Sequence, residues 1–483
     1  MTRVLKKTLK ITALILVVAM VTLIGLRLLE IQQSPPLGPW HTYVPDEMDA
    51  ARIDKTDWDT YVRHEQKLFQ DVRQNVTQKL DEDEKVASNR YFAGSVVNPD
   101  HFAHDWNRSY VLMPQGEPVG AVVLLHGLTD SPYSLRHLAF HYQSVGYAVV
   151  AIRIPGHGTV PAALTESVWE DWLAATRLAV REARRRVPAP RPLHMVGFSN
   201  GGALAMMYTL QALEDSSLAA PDRLILISPM IGITRFARFA GLAGLPAILP
   251  AFAKAAWLSI VPEFNPFKYN SFPINAARQS YQLTMALQDR LAARQRDGGL
   301  ARLPPVISFH SVLDFTVSTR ALINALYARL PENGSELVLF DLNRATKLGP
   351  LFRRGVEWAM AGTLPGERRN YRLTIVTNVN TASNDMIERV TEAGSTEIVE
   401  RSIGLSYPRE IYSLSHVALP FPTNDALYGQ HPDNIEEFGI SLGAVSMRGE
   451  VGAFVIGMDS LARLTSNPFF PYMLGRIDGV IPR

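Results

Sequence analysis

The stretch LHMVGFSNGGALAMMYTLQAL, residues 193–213, decides the fold. It opens with a largely apolar run of six, the mark of a strand covered on both faces. It continues into a helical pattern over 203–213. Between them lies Gly197-Phe198-Ser199-Asn200-Gly201. A turn this tight strains the backbone at its apex, and glycines two before and two after the serine let strand and helix approach closely. The hydroxyl then projects above the sheet edge, and the following helix points its positive end at the same place. Glycine-rich turns of this composition also occur by chance. The strand–turn–helix context favours Ser199 as a nucleophile.

Similar apolar runs appear at 120–126, 147–152, 223–228, 305–310, 336–340 and 410–415. Helical patterns separate several of them, as at 168–184. Such alternation predicts a mostly parallel sheet with helices on both faces. A serine needs a base, and the base needs an orienting carboxylate. With a nucleophile on this kind of turn the chain order is serine, acid, histidine. Only His310, His416 and His431 follow Ser199. His310 lies inside a strand and His431 in the turn-like GQHPDN, whereas His416 directly follows EIYSLS, so His416 is the expected base. Asp314, just beyond the run ending at His310, is the expected acid, with Asp341 as runner-up. The loop His126-Gly127-Leu128-Thr129-Asp130-Ser131-Pro132 follows the first apolar run. It can bring the Leu128 N–H beside that of Asn200 as an oxyanion hole, with His126 bracing the loop rather than acting as base.

At this point the chain resembles the α/β-hydrolase superfamily, nearest to its carboxylesterase and monoacylglycerol-lipase-like serine hydrolases. The residues that carry the likeness are His126-Gly127-Leu128, Pro155-Gly156-His157-Gly158 with Pro161 and Leu164, Glu170-Asp171-Trp172, the Ser199 turn, Asp314 with Thr316-Val317, and Ser415-His416. They span roughly residues 108–330 and 408–430. The resemblance implies an α/β-hydrolase fold with a helical cap, and cleavage of carboxylic esters through an acyl-serine intermediate without metal or cofactor. Thioesterases, amidases and acyltransferases share this machinery, and a non-catalytic scaffold of the same fold is a further alternative. One departure stands out: 102 residues separate Asp314 from His416, where such proteins need a few tens. Residues 342–408 read as an insertion with a strand at 371–377, a helix at 382–394 and room for a protein partner.

The rest of the chain sets the surroundings. Of 483 residues, 47% are hydrophobic and 19% charged, enough for a large core and too apolar for disorder. A net charge of +2 disfavours nucleic-acid binding. The absence of cysteine excludes disulfides, thiolate metal sites and a cysteine nucleophile. Arg3, Lys6, Lys7 and Lys10 precede a charge-free apolar run at 11–26, and extension to residue 29 gives about 28 Å of helix. The charge bias keeps the amino end in the cytoplasm, so the expectation is a single-pass membrane anchor with the catalytic domain outside, on the periplasmic side if bacterial. A cleaved signal peptide is the alternative.

The chain thus divides into an anchor (1–30), a linker and amphipathic helix packing on the main domain (31–107) and a hydrolase domain (108–483), with a cap at 230–303. Thr56 is the expected N-cap of that amphipathic helix. The segment 231–262 is apolar and its charges, Arg235, Arg238 and Lys254, are all positive. This suits an apolar acyl or lipid ester substrate and a membrane surface, or simply an ordinary buried cap. His101 and His104 lack further ligands at metal spacing, the loop at Gly156 lacks a phosphate-binding lysine, and Met195, Met206 and Met207 read as core.

Overall fold

The computed structural model describes residues 35–232, 250–314, 316–347, 368–409, 411–434, 436–443 and 463–481, with scattered positions before residue 26. Ten strands form one sheet. They are β1 (Tyr110–Leu112), β2 (Gly120–Leu125), β3 (Tyr147–Ile152), β4 (Leu193–Phe198), β5 (Arg223–Ile227), β6 (Val306–Ser311), β7 (Glu336–Phe340), β8 (Arg372–Asn378), β9 (Asp385–Thr391) and β10 (Val399–Ser406). Their order is β1-β3-β2-β4-β5-β6-β7-β8-β9-β10. The run from β3 to β8 is parallel. β1 at one edge and β9 and β10 at the other are antiparallel.

The expected layering follows from the central strands. β2, β3 and β4 are buried along their whole length, so successive side chains must enter two different cores. Ala121, Val123 and Leu125 of β2 pack on one face with Trp172 and Leu178, from the helix Trp169–Arg186, and with Leu204, from Asn200–Glu214. Val122 and Leu124 pack on the other with Leu138 and Tyr142, from Arg136–Ser144, and with Met473 and Ile477, from Phe470–Asp478. This is the α/β-hydrolase arrangement.

Three sequence expectations are corrected. The helix expected over 382–394 is strand β9, paired along its length with β8. Met386, Ile387 and Val390 fit one face of a helix equally well, and the open edge of the sheet decides for a strand. Among the described residues of the run at 410–415, Ser413–Leu414 is the strand, and it pairs in parallel with Arg463–Leu464 outside the main sheet. The amphipathic helix runs from Trp58 to Asn75, and its N-cap is Asp57, whose carboxylate accepts the Thr60 N–H at 2.8 Å. Thr56 instead donates its hydroxyl to Arg52 O. The stretch read as a linker is closely packed from residue 35 on, with Trp40, Met48 and Ile53 buried. Most of 11–29 lies outside the described residues, and among the described residues no helix is long and apolar enough to cross a membrane.

Arg153, just past β3, fastens the amino-terminal segment to the sheet. Its guanidinium donates to both Glu47 oxygens at 2.7 and 3.0 Å and to Glu65 at 3.0 Å. Tyr61 donates to the Arg153 carbonyl at 2.7 Å. Arg153 and Glu65 are almost wholly buried, so each charge depends on the other for solvation. Arg153→Met, which strands two carboxylates, is expected to lower unfolding free energy by about 3–5 kcal/mol, read by urea denaturation.

Candidate active site

Ser199 sits where β4 meets the helix Asn200–Glu214, with φ 53° and ψ −114°. Three hydrogen bonds hold this left-handed residue: its N–H donates to Ile227 O, and its carbonyl accepts from Gly202 and Met230. The turn is possible because its flanks carry no side chains. A Cβ on Gly197 would collide with the Gly201 carbonyl, and one on Gly201 with the Leu125 carbonyl. Thr129 and Ser228 are the other non-glycine residues at positive φ among the described residues, and they lie in the loops leaving β2 and β5. Strain gathered at adjacent strand ends is characteristic of a functional rim.

The three expected side chains meet there. Ser199 Oγ lies 3.0 Å from His416 Nε2, and His416 Nδ1 lies 2.8 Å from Asp314 Oδ2. A carboxylate accepts, so the Nδ1–H donates to Asp314 and Nε2 is left to receive the serine proton. The Phe198 ring stacks on His416 at 5.4 Å. The other Asp314 oxygen accepts the N–H groups of Thr316 at 2.9 Å and Val317 at 3.0 Å. Burial alone would push the Asp314 carboxyl up. The His416 ring with its hydrogen bond, then His310 and the Val317 N–H, outweigh it and hold the group below the ordinary carboxylate range.

His416 reaches the site despite the insertion, because the insertion's two ends are held together. β8, β9 and β10 leave the body as an extension of the sheet past β7. At their root, the Asn343 N–H donates to Tyr412 O at 2.7 Å, and its side chain donates to Ile411 O at 2.8 Å. Ser311, at the end of β6, donates its hydroxyl to Leu414 O at 3.1 Å. The chain therefore re-enters beside the strand that carries Asp314.

The competing residues lie elsewhere. Asp341 accepts from Arg344, Thr377 and its neighbour Leu342, joining β7 to β8. His431 is exposed. His126 braces the loop as expected: Nδ1 donates to Gly127 O, Nε2 accepts the Ile154 N–H at 3.0 Å, and burial pushes its pKa well below the ordinary range. The loop passes close to the nucleophile, since a Cβ on Gly127 would stand 3.4 Å from Ser199 Cβ. Asn200 opens its helix, so its N–H is one of the four without an intrahelical acceptor. Among the described residues no group of three His, Asp or Glu side chains is placed to hold a metal ion.

One support is absent from the sequence reading. Asp425, fully buried, accepts Arg136 at 2.7 Å, His137 at 2.9 Å, Tyr133 at 3.1 Å and two backbone N–H groups. It thereby locks the segment after His416 to the loop after Leu128. No local pattern marks a pair of residues so distant in the chain. Within the cap, Arg235 and Arg238 lie outside the described residues. The described limb reaches the same loop, with the Tyr269 N–H donating to Thr129 O at 2.8 Å.

Residues 116–342 match the family model described as serine aminopeptidase, S33. The thermostable monoacylglycerol lipase of Bacillus sp. (strain H-257) is 35% identical over 89 residues, or 18% of this chain. The match spans 34% of that lipase. Among solved structures, one from work on LipS and LipT, two metagenome-derived lipolytic enzymes, is 23% identical, with TM-score 0.38 over 49% of this chain and 88% of that one. A soluble variant of the Saccharomyces cerevisiae monoglyceride lipase is 17% identical, with TM-score 0.37 over 48% and 81%.

With Asp314→Asn the imidazole loses its acceptor and the tautomer is free to invert. Esterase turnover is expected to fall by about 10³- to 10⁴-fold with little change in KM, measured by steady-state kinetics on a chromogenic ester. The sheet topology and the family match over 116–342 make this an α/β-hydrolase fold, with Ser199, His416 and Asp314 gathered at one rim of its sheet.

Proposed function

We propose that the protein is a serine hydrolase that cleaves carboxylic esters with an apolar acyl part. The observation that carries this reading is the continuous relay from Ser199 Oγ through His416 to Asp314, at 3.0 and 2.8 Å. Ser199 Oγ attacks the carbonyl carbon as its proton passes to His416 Nε2. The resulting oxyanion is stabilised by the N–H groups of Leu128 and Asn200, aided by the positive end of the helix that follows Ser199. The C–O bond to the leaving alcohol breaks, and His416 returns the proton to that oxygen. Water then gives a proton to His416 and attacks the acyl-serine, releasing the acid and restoring the hydroxyl. Asp314 stays ionised throughout and steadies the imidazolium.

The apolar cap segment and the monoacylglycerol lipase among the relatives support an acyl or lipid ester as substrate. Thioesters and amides would use the same groups, and a p-nitrophenyl ester series separates the acyl preferences. Hydrolysis is expected to rise from acetyl to medium chains and to drop about 10⁴-fold in Ser199→Ala. Equal rates in wild type and Ser199→Ala would refute the reading.

The same reading places the chain at a membrane, with the domain outside the cytoplasm. It is supported by the four cations before the apolar run at 11–26. It is also supported by the route of the segment that follows: His41 lies 2.9 Å from Ser271 Oγ and packs edge-on to Trp257, so the amino-terminal chain arrives against the cap. Reversing Arg235, Arg238 and Lys254 to Glu in protein lacking residues 1–30 is expected to weaken binding to anionic liposomes by at least about tenfold, measured by co-sedimentation. Unchanged binding would contradict a cap that faces lipid.

A further inference from the structure

His310 is a buried imidazole that the proposed mechanism leaves unused, yet it lies against the acid of the triad. Its Nε2 is 2.9 Å from Thr319 Oγ1. Its Nδ1 is buried, has no hydrogen-bond partner among the described residues, and stands 4.0 Å from Asp314 Oδ2. That separation is too long for a hydrogen bond, but between two buried side chains the polarity of the nitrogen still matters. A neutral imidazole offers one N–H and one lone pair. A lone pair on Nδ1 would confront a carboxylate, whereas an N–H there is attracted to it. Thr319 permits the second arrangement, because its hydroxyl can donate to Nε2 at 2.9 Å in place of the longer 3.3 Å contact to Val312 O.

We propose that His310 is a positioning residue of the triad: Nδ1 carries the proton and directs it at Asp314 Oδ2, so that the carboxylate is held between two imidazoles. This rests on the reading of Ser199, His416 and Asp314 as a triad. The division of labour around the carboxylate is then complete. Thr316 and Val317 hold one oxygen, His416 takes the hydrogen bond on the other, and His310 supplies a dipole from the remaining side. The charged and titratable groups acting on His310 are Asp314 and His416, with the uncharged Thr319 at its far nitrogen. Burial pushes the pKa of His310 down to about 4, so its ring is neutral near pH 7. A neutral donor orients the acid without cancelling the charge that His416 needs.

Without that dipole the carboxylate is freer to turn, and it binds the His416 proton more tightly. His310→Leu is therefore expected to lower kcat about tenfold with KM unchanged, and to move the acid limb of the kcat/KM profile to higher pH. His310→Asn can place an amide N–H near the position of Nδ1 and is expected to restore most of both. His310→Gln reaches the position of Nε2 and Thr319 instead, and is expected to behave like the leucine variant. A glutamine variant with wild-type kcat and acid limb, or asparagine and leucine variants impaired alike, would overturn the proposal.

Thermal unfolding reports whether each variant folds. ¹⁵N NMR of histidine-labelled wild type, with the His310 signal found by its loss in the glutamine variant, reads the tautomer directly. Protonated Nδ1 supports the proposal and protonated Nε2 overturns it, whatever the leucine variant does. Fluorophosphonate labelling of wild type and Ser199→Ala separates the two readings. Absence of serine-dependent label would defeat the triad itself, whereas normal labelling with unaltered His310 variants would defeat the role of His310 alone.

Discussion

A buried carboxylate must have its charge solvated by its neighbours, and Asp314 meets this requirement through hydrogen bonds from His416, Thr316 and Val317. The interaction is reciprocal: the charge that burial makes expensive is also what fixes the imidazole tautomer and leaves Nε2 facing Ser199. The two N–H groups on the other carboxylate oxygen and the phenylalanine stacked on the imidazole flank that one contact. Removing the hydrogen bond would leave a buried charge and an unoriented imidazole together, so stability and the proposed catalysis share the same few ångströms.

The remaining architecture brings distant segments to one rim. Parallel strands deliver their carboxyl ends to the same side, so the loops after β2, β4 and β6 converge without special devices. His416 is the exception, since it is not carried by a strand of the main sheet. The body supplies local substitutes. Asn343 joins the two ends of the insertion, Ser311 holds the returning chain against β6, and Asp425 fixes the following segment to Arg136 and Tyr133. A three-strand extension is thereby added at the edge of the sheet without disturbing geometry at its centre.

Much of this was legible in the sequence, for reasons that can be named. The central strands are continuous apolar runs because both faces are covered, and that pattern has few competing explanations. The serine turn carries its own steric signature, as Gly197 and Gly201 are required by backbone atoms that would otherwise collide. Chain order then restricted base and acid to a handful of residues. The edge of the sheet was less legible. Met386, Ile387 and Val390 fit helix and strand alike, and what decides between them is pairing with β8, a tertiary fact. Charged partners such as Arg153 with Glu65, or Arg136 with Asp425, left no local trace because each pair joins residues far apart in the chain. His310 was visible as a strand residue, while its proximity to Asp314 emerges only when the turn after β6 is built.

The central claim is that Ser199 is made nucleophilic by His416 beneath two oxyanion donors. A crystal structure of the protein after reaction with an alkyl phosphonate tests it most directly. The account predicts phosphorus bonded to Ser199 Oγ, a phosphonyl oxygen about 3 Å from both the Leu128 and Asn200 N–H groups, and His416 still bonded to Asp314. Phosphorus on another residue, or an adduct on Ser199 whose oxygen turns away from both N–H groups, would contradict it.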